Sequence, residues 1–361
     1  MDLKLFEARK RDHLRIALEP AHQAQGLNGL DRVHLHHEAL PEIDFEEVQI
    51  SSLRLKATAS TPFYVAGMTA GHSDAVELNQ LLAVGCEKRG WAMGVGSQRR
   101  ELESNSSDNS SPLSSPNSSI DEWRRLREKA PKLQLFANIG ISQLGSAKVS
   151  QLRKLVDSIG AQALVVHANA LQESLQPEGT PRFKGALQNL QTVCKEIGVP
   201  VILKETGCGF SIPTLKKVSE LALSAVDVSG LGGTHWGRIE GARAEASQAT
   251  LQAEAAKTFA NWGESTADSV LSAKKTLRPS TEIWASGGVR TGLDAAKLIA
   301  LGAQQIGYAR PALEAALKGP EALDAWMALQ EFELKVALFC TGCKNPEALR
   351  TKEGIWQIRE I

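Results

Sequence analysis

A short apolar run in the middle of the chain leads directly into a cluster of polar side chains. Residues 163–166 have the composition of a strand, and His167, Asn169, Gln172 and Glu173 follow it. These imidazole, amide and carboxylate groups can bind a metal or a substrate, and each costs roughly 1–3 kcal/mol if it is buried without a partner. The end of this strand therefore predicts a catalytic or binding site, with a polar surface loop as the alternative.

A second candidate is Lys204, which ends the β-rich run Val199 to Lys204. A buried ammonium group is costly unless an anion lies beside it. That anion could be the N1/O2 edge of a reduced flavin, or it could be a carboxylate such as Glu205. The spacing alone leaves both interpretations open.

Two glycine-rich turns have the composition of a phosphate site. One spans residues 286–292 and contains Arg290, and the other spans residues 307–310. Glycines let backbone amides approach phosphate oxygens, and a helix that begins just afterwards adds a favourable dipole. The alternative is a pair of ordinary tight turns.

Two basic clusters could bind an anionic group near these turns. Arg9, Lys10 and Arg11 precede His13, and Arg99 stands beside Arg100. The clusters could clamp a diphosphate, with Mg²⁺ on Glu173 bridging to it, since Mg²⁺ favours few carboxylates together with phosphate oxygens and water. The alternative is that both clusters are simply solvated.

The elements that must position these groups alternate between β-rich runs and helix-like segments. The predicted strands are Pro62 to Ala66, Trp91 to Val95, Leu133 to Ala137, Leu164 to His167, Val199 to Lys204, Ala225 to Val228, Glu282 to Ala285 and Gln305 to Tyr308. Nearly every one ends in glycine or polar residues, as the strands of a barrel do at its mouth. We therefore predict an α/β fold, a (β/α)8 TIM barrel, with an open doubly wound sheet as the alternative.

The barrel is predicted over residues 61–319. An N-terminal extension, residues 1–60, would contribute basic residues to the substrate site, and residues 320–361 would form a C-terminal helical tail with a helix over residues 326–339. Residues 104–119 are almost purely Ser, Asn, Asp and Pro, and we expect a flexible surface loop there.

Composition excludes some classes of protein. Lys and Arg total 41 and Asp and Glu total 41, so the net charge gives no general attraction to nucleic acid or to an anionic membrane. The sequence has no secretory signal and no apolar run long enough to span a bilayer, so we expect a cytoplasmic protein without a membrane or nucleic-acid partner. The five cysteines include a single CxxC, Cys340 and Cys343, for which a second ligand pair is missing.

The ordered set of motifs resembles type 2 isopentenyl diphosphate isomerase, a flavin-dependent barrel enzyme. The set is RKRDH, GMTAGH, VGSQR, NIG, HANALQESLQPEG, LKETGCGFS, DVSGLGGT, ASGGVRTGLDAAK and LGAQQIGYA, and the overall resemblance extends from about Arg9 to beyond Phe339. SGG-R is common to FMN barrels, whereas SQR together with H-x-N-x-x-Q-E-x-x-Q-P-E-G is specific to this family. Three differences are Ala70 in place of a glycine, Cys208-Gly209-Phe210 in place of FGM, and the serine-rich segment.

The resemblance implies a role for each matching residue. It implies FMN contacts from Met68, Thr69, Ala70, Ser97, Asn138, Lys204, Ser229, Thr234, Gly287, Gly288, Val289, Arg290, Ala309 and Arg310. It implies substrate contacts from Arg9, Lys10, Ser97, Gln98, Arg99 and Gln172. Glu173 would bind Mg²⁺, and His167, Asn169, Gln172 and Lys204 would form the catalytic set.

The resemblance further implies conversion of isopentenyl diphosphate to dimethylallyl diphosphate. FMN, reduced by NADPH or NADH and not consumed, would act as the acid-base group in a 1,3 proton shift, in a homotetramer or homo-octamer. An FMN-dependent 2-hydroxy acid oxidase or dehydrogenase shares the barrel and its phosphate glycines, but such enzymes carry a histidine beside those glycines, where this chain has Ser286. A non-catalytic flavin or phosphate-binding module is the remaining alternative.

Overall fold

The structure, a computed structural model, describes residues 12–68, 73–104 and 119–359. Four predicted site residues, Arg9, Lys10, Thr69 and Ala70, lie outside the described residues, as do residues 105–118 of the serine-rich segment. The sequence predictions for those positions therefore remain predictions.

Eight parallel strands close into a barrel. In chain order they are β4 (Phe63–Val65), β5 (Ala92–Gly94), β6 (Leu135–Gly140), β7 (Ala163–Ala168), β8 (Val201–Glu205), β9 (Ala225–Asp227), β10 (Glu282–Ala285) and β11 (Gln305–Tyr308). The sheet runs from β4 to β11 in sequence order, and β11 pairs with β4 to complete the ring. The predicted (β/α)8 barrel is confirmed, and the open-sheet alternative is wrong.

The predicted strand positions agree closely with the observed ones. The bounds of β10 and β11 are those predicted, and the other strands differ by one to three residues at an end. The difference that matters is in β6, which continues to Gly140 because Asn138 and Ile139 pair with Val165 and Val166 of β7. Asn138 therefore lies within a strand and not after one.

Side chains alternate between the barrel interior and its outer surface, as strand geometry requires. Tyr64, Phe136 and Trp284 fill the interior, and the Trp284 ring lies 5.0 Å from the Tyr64 ring and 5.4 Å from the Phe136 ring. Two residues further along five of the eight strands the interior positions become polar, with Asn138, His167, Lys204, Asp227 and Ser286. The apolar interior thus ends in a polar layer at the C-terminal mouth.

Helices surround the barrel and cover the outer side of its strands. Their bounds are Ser73–Arg89, Arg99–Ser104, Ser119–Lys129, Val149–Ser158, Ala170–Leu175, Ala186–Glu196, Ile212–Val218, Trp236–Ala246, Thr250–Thr258, Thr266–Thr276, Gly292–Leu301, Arg310–Ala316, Pro320–Cys340 and Pro346–Thr351. Single turns of 3-10 helix span Pro20–His22, Phe45–Glu47 and Ile141–Gly145. No described helix is long and apolar enough to cross a membrane.

The opposite end of the barrel is closed by a hairpin of β2 (Ser52–Arg54) and β3 (Ala57–Ala59). Arg54 is 1% exposed and donates hydrogen bonds to the backbone oxygens of Thr61 and Phe63, both at 2.8 Å. It also donates to the side-chain oxygens of Gln305 and Gln134, both at 2.7 Å. One guanidinium group therefore ties four chain segments together beneath the barrel.

Segments from both ends of the chain pack on the barrel. Strand β1 (Val33–Leu35) pairs antiparallel with β12 (Trp356–Ile358). The tail helix runs over Pro320–Cys340, longer than the predicted 326–339, and packs against the helix Gly292–Leu301. A Cβ atom at Gly292 would lie 2.3 Å from the backbone oxygen of Gln330, so this contact requires glycine.

Candidate active site

A cavity of about 220 Å³ opens at the C-terminal ends of the barrel strands. Most of the predicted site residues line it, namely Met68, Ser97, Arg99, Asn138, His167, Gln172, Glu173, Lys204, Ser229, Thr234, Gly287, Gly288, Val289, Arg290, Ala309 and Arg310. Residues that were not predicted as site residues complete the wall, among them His13, Gln176, Trp236 and Ser286. This is the position at which barrel enzymes carry their active sites.

The turn after β10 has the features of a phosphate cradle. Gly287 and Gly288 have φ values of 100° and 75°, and a Cβ atom on either would lie within 2.4 Å of backbone atoms of Gly230 or Gly232. Only glycine fits such positions, and the backbone there remains open to a ligand. The helix Gly292–Leu301 begins just afterwards, so its N-terminal dipole favours an anion nearby.

Arg290 supplies the charge for this cradle. Its Nη2 atom is buried and has no hydrogen-bond partner among the described residues. Buried donors of this kind are nearly always satisfied, so the unpaired atom indicates that a ligand group belongs beside it. The donor set and the glycine turn together fit the phosphate of a bound FMN.

The floor of the cavity carries a buried ion pair. Lys204 Nζ lies 2.6 Å from Asp227 Oδ2 and 2.8 Å from Ser286 Oγ, and Ser286 in turn donates to Asp227 Oδ1 at 2.8 Å. The side chains of Lys204 and Asp227 are 12% and 1% exposed. The structure thus brings to Lys204 a carboxylate that differs from the Glu205 alternative raised by the sequence.

Glu205 faces away from the ion pair, on the other side of β8. One of its carboxylate oxygens accepts the backbone N–H groups of Thr206, Gly207 and Cys208, at 2.6–2.7 Å. Burial raises the pKa of Glu205 to about 7, although these amides favour the charged form. Glu205 therefore shapes the loop that lines the cavity at Thr206 and Gly207.

His167 is oriented by Asn138. The Asn138 side-chain NH2 group donates to the backbone oxygen of Val95 at 3.0 Å, so its oxygen is the atom that faces His167 Nδ1, at 2.8 Å. An amide oxygen can only accept, and the proton in this contact is therefore on Nδ1 of His167. This network fixes the tautomer when the imidazole is neutral.

Asn169 lies behind the cavity wall and organises it. It is 4% exposed, and its side-chain oxygen caps the helix Ala170–Leu175 by accepting the N–H of Gln172 at 2.8 Å. Its side-chain nitrogen donates to Thr206 Oγ1 at 2.5 Å. The structure thus places Asn169 as a support for Gln172 and not on the cavity surface.

Gln172 and His13 meet at a buried carboxylate. Glu240 has a fully buried side chain, and its Oε1 atom lies 2.8 Å from His13 Nε2 and 3.2 Å from Gln172 Nε2. Arg243 contacts the other oxygen at 2.6 Å. The net effect of these partners is to lower the pKa of Glu240 despite its burial. Glu240 therefore connects the N-terminal segment to the predicted substrate site.

Glu173 projects into the cavity from the first turn of the helix Ala170–Leu175. One of its carboxylate oxygens accepts the backbone N–H of Thr180 at 2.6 Å, which fixes the side chain. Among the described residues no group of three or more His, Cys, Asp or Glu side chains converges as a complete metal site. Glu173 could thus contribute one protein ligand, with the others coming from substrate and water.

The three residues of the SQR motif point in different directions. Ser97 and Arg99 line the cavity, and Arg99 also pairs with Glu103 at 2.8 Å. Gln98 is fully buried: its side-chain nitrogen donates to Leu155 O at 3.3 Å, and its oxygen accepts the Asn138 N–H at 3.1 Å. The structure therefore places the Gln98 side chain away from the cavity, as a support for Asn138.

The residues that the sequence predictions missed are mostly acidic or aromatic groups beneath the cavity surface. Asp227 lies in a predicted strand, and its only signal was a charge at an interior position of an otherwise apolar run. Glu240 lies in the helix Trp236–Ala246, which was not predicted. Their partners are far away in the sequence, so the contacts follow only from the closed barrel.

Comparison with known proteins identifies the family. Residues 123–356 match the profile of the FMN-dependent dehydrogenase family. A protein of Bdellovibrio bacteriovorus called isopentenyl-diphosphate delta-isomerase is 50% identical over 97% of this chain and 98% of its own. A protein of that name from Ignicoccus hospitalis is 39% identical over 95% of this chain and 92% of its own.

Solved structures with much lower identity share the fold. A flavocytochrome b2 variant with bound benzoylformate superposes with a TM-score of 0.68 at 18% identity, covering 98% of this chain and 86% of its own. A mandelate oxidase variant superposes with a TM-score of 0.64 at 16% identity, covering 97% of this chain and 98% of its own. With the full-length relatives, these comparisons place the chain in the type 2, FMN-dependent isopentenyl-diphosphate delta-isomerase family.

Proposed function

We propose that this enzyme converts isopentenyl diphosphate to dimethylallyl diphosphate, with FMN, Mg²⁺ and NADPH as cofactors. The observation that carries the proposal is one cavity that combines a phosphate cradle, a buried cationic floor and the carboxylate of Glu173. The chain that forms this cavity is 50% identical to a protein called isopentenyl-diphosphate delta-isomerase. The reaction moves a proton between two carbons without net oxidation, and NADPH serves only to reduce the flavin.

The glycine turn after β10 and Arg290 would hold the phosphate of FMN in this proposal, and Lys204 would offer its positive charge to the ring system. Met68, Ser97, Ser229 and Thr234 line the same part of the cavity. When bound and reduced, FMN supplies the group that gives and takes the proton. The protein supplies orientation and exclusion of water, the usual division of work in a cofactor enzyme.

The diphosphate of the substrate lies at the opposite wall. Glu173 would hold Mg²⁺ there and so supply positive charge for the diphosphate, since this metal suits few carboxylates together with phosphate and water. Arg99 and Ser97 contact the same group, together with Arg9 and Lys10 from the N-terminal segment. Gln172, held by Asn169 and Glu240, and His167, held by Asn138, face the prenyl chain.

A hydroxy-acid oxidase shares the fold but fits the site less well. Such an enzyme needs a basic imidazole beside the glycine turn, and here Ser286 occupies that position with its hydroxyl bound between Lys204 and Asp227. His167 is on a different strand, and its Nδ1 proton is directed to Asn138. The isomerase relatives also have much higher identity than the oxidase structures.

The decisive assay is an anaerobic incubation of the protein with FMN, Mg²⁺, NADPH and isopentenyl diphosphate. Formation of dimethylallyl diphosphate with only catalytic use of NADPH is the expected result. NADPH consumed in step with substrate would indicate an oxidoreductase, and FMN binding without any turnover would indicate a binding module. The proposal includes a cytoplasmic homotetramer or homo-octamer, whose mass light scattering measures.

A further inference from the structure

Asp227 is a buried carboxylate for which the isomerisation itself has no direct use. It is 1% exposed and lies at the end of β9, between Lys204 of β8 and Trp284 of β10. Burying a charge at this place is costly, so its presence beneath the cofactor position requires a physical reason. The pattern of its contacts supplies one.

All four contacts to Asp227 come from donors. Tyr64 Oη at 2.5 Å and Lys204 Nζ at 2.6 Å donate to Oδ2. Ser286 Oγ at 2.8 Å and the Ser229 N–H at 3.2 Å donate to Oδ1. A carboxylate has about four lone-pair sites, and these four contacts occupy them. The geometry therefore fits a carboxylate beside the Lys204 ammonium group.

The surroundings make this pair strong and fixed. The aromatic layer of Tyr64, Phe136 and Trp284 lies directly below it. Tyr64 contacts Asp227 directly, and a cavity of only about 20 Å³, space for a single water molecule, is lined by the pair and these three rings. Weak screening in such a site increases the interaction of Lys204 with any charge above it.

We propose that Asp227 is a positioning residue that keeps Lys204 charged and fixed whether the flavin is oxidised or reduced. This inference rests on the proposed FMN site. With an ammonium group already in place, reduction consumes two electrons and one proton, which goes to N5, and leaves an anion at N1. The electrons come from dithionite in the test below and from NADPH in the proposed reaction.

Without Asp227 the number of protons taken up during flavin reduction changes. An ammonium group buried below a neutral oxidised flavin would have no counter-ion, so Lys204 would lose its proton. Reduction would create an anion above Lys204, and the amine would recover the proton at that moment. Flavin reduction would then take up two electrons and two protons, the second of them on Lys204 Nζ.

Other titratable groups near the pair do not produce the same signal. Burial and the neighbouring Asp227 raise the pKa of Tyr64 well above its ordinary value, so it does not ionise near neutrality. Glu205, with a pKa of about 7, and His167, whose Nδ1 proton is bound to Asn138, are present in every variant considered. A difference between wild type and a variant at position 227 therefore isolates Asp227.

The test is the pH dependence of the FMN midpoint potential between pH 6 and 8, measured with dithionite and reference dyes on the FMN-loaded protein. For a two-electron couple, one proton gives a slope of about 30 mV per pH unit and two protons give about 59 mV. We expect the single-proton slope for wild type and the doubled slope for Asp227→Asn. Tyr64→Phe, which removes a donor but neither charge, should keep the single-proton slope.

The double variant Lys204→Met with Asp227→Asn covers the case in which Asp227→Asn alone does not retain FMN, because removing both charges is far less costly than removing one. It should show the doubled slope together with the absorption spectrum of neutral reduced flavin at pH 6, whereas wild type shows the anionic spectrum. A single-proton slope in either variant would overturn the inference. So would a two-proton slope in wild type, or loss of FMN from both variants while Tyr64→Phe binds normally.

Failure of the proposed function would look different. If wild type does not bind FMN, the site assignment fails before the slope can be compared. If wild type binds FMN and the slopes of wild type and Asp227→Asn coincide, only the role of Asp227 is wrong. The potential and the spectrum are measured without substrate, so neither depends on turnover.

Discussion

Replacing Arg290 with alanine should have opposite effects on the protein with and without FMN. In the cofactor-free protein no described residue accepts a hydrogen bond from the buried Nη2 atom, and an unsatisfied donor of this kind costs up to about 1–3 kcal/mol. Arg290→Ala removes that cost, so the cofactor-free variant should be at least as stable as wild type. With FMN bound, the same substitution removes a charge-assisted hydrogen bond to phosphate.

The size of the second effect follows from ordinary hydrogen-bond energies. A hydrogen bond that involves a charged group contributes about 1.5–3 kcal/mol. At about 1.4 kcal/mol for each factor of ten, the Kd for FMN should rise roughly 10- to 150-fold. At an FMN concentration of 100 times the wild-type Kd, binding stabilises wild type by about 2.7 kcal/mol, and a 100-fold weaker variant by only about 0.4 kcal/mol.

The assay is a fluorescence titration of FMN, combined with thermal unfolding in its presence and absence. Arg290→Lys keeps the charge but loses the planar fork, and its Kd should be intermediate. Arg278→Ala is the matched control, because Arg278 is half exposed and pairs with Glu220 on the surface. An unchanged Kd for Arg290→Ala, or a cofactor-free variant destabilised as much as the loaded one, would refute the assignment of the phosphate cradle.

Three further predictions concern other parts of the molecule. Glu173→Gln should keep full FMN content but lower turnover at limiting Mg²⁺ by at least about 10-fold, because even residues that only orient a metal ligand cost about 10-fold in activity when they are replaced. Arg54→Met should lower the unfolding free energy by about 3 kcal/mol or more, because the carbonyls of Thr61 and Phe63 lose their donor. The unfolding free energy of Glu205→Gln, relative to that of wild type, should rise by roughly 2.5 kcal/mol between pH 5 and 8.

The sign of the Glu205 prediction follows from its raised pKa. A folded-state pKa of about 7 lies above the ordinary value near 4.5, so the stability that the protonated carboxyl contributes is complete below pH 4.5 and is lost as pH rises through about 7. Glutamine resembles the protonated form at every pH. Urea unfolding at several pH values measures the difference, and a constant difference from pH 5 to 8 would contradict it.

The other two variants, Glu173→Gln and Arg54→Met, each need a control, the first for turnover and the second for folding. Glu220→Gln, at an exposed side chain remote from the cavity, should leave the Mg²⁺ dependence unchanged. Full activity of Glu173→Gln at low Mg²⁺ would remove Glu173 from the metal site. Arg54→Met should keep the activity per folded molecule, and a loss of activity without a loss of stability would mean that the hairpin does more than close the barrel.

The sequence predicted the barrel well because its signals are local. Each strand carries a β-rich run and ends in glycine or polar residues, and those ends had to meet once the barrel was assumed. For the same reason most of the predicted site residues from Met68 to Arg310 line one cavity, although their roles remain predictions. Residues such as Gln98 were predicted from a motif, and the motif does not state which of its side chains faces inward.

Contacts between distant segments could not be predicted from local patterns. Tyr64 and Asp227 are 163 positions apart, and His13 and Glu240 are 227 positions apart. Each residue alone is an ordinary member of a strand or helix. Their pairing depends on the barrel register, in which Lys204 lies beside Asp227 and Tyr64 faces Asp227 across the interior. Only the closed structure shows that Tyr64, Asp227 and Lys204 form one network and that His13 and Glu240 form another.

The two ends of the barrel solve the problem of buried charge in different ways. Beneath the barrel, Arg54 donates its hydrogen bonds to backbone and amide oxygens; burial lowers its pKa to about 10, and the charge of Glu282 partly opposes that shift. At the mouth, Lys204 has a full counter-charge in Asp227 and also faces a cavity. A purely structural cation needs only neutral acceptors, whereas a cation that must remain charged beside a ligand of changing charge needs a fixed anion. If FMN binds above Lys204 as proposed, the cost of burying Asp227 is a consequence of placing Lys204 where the charge of the cofactor changes.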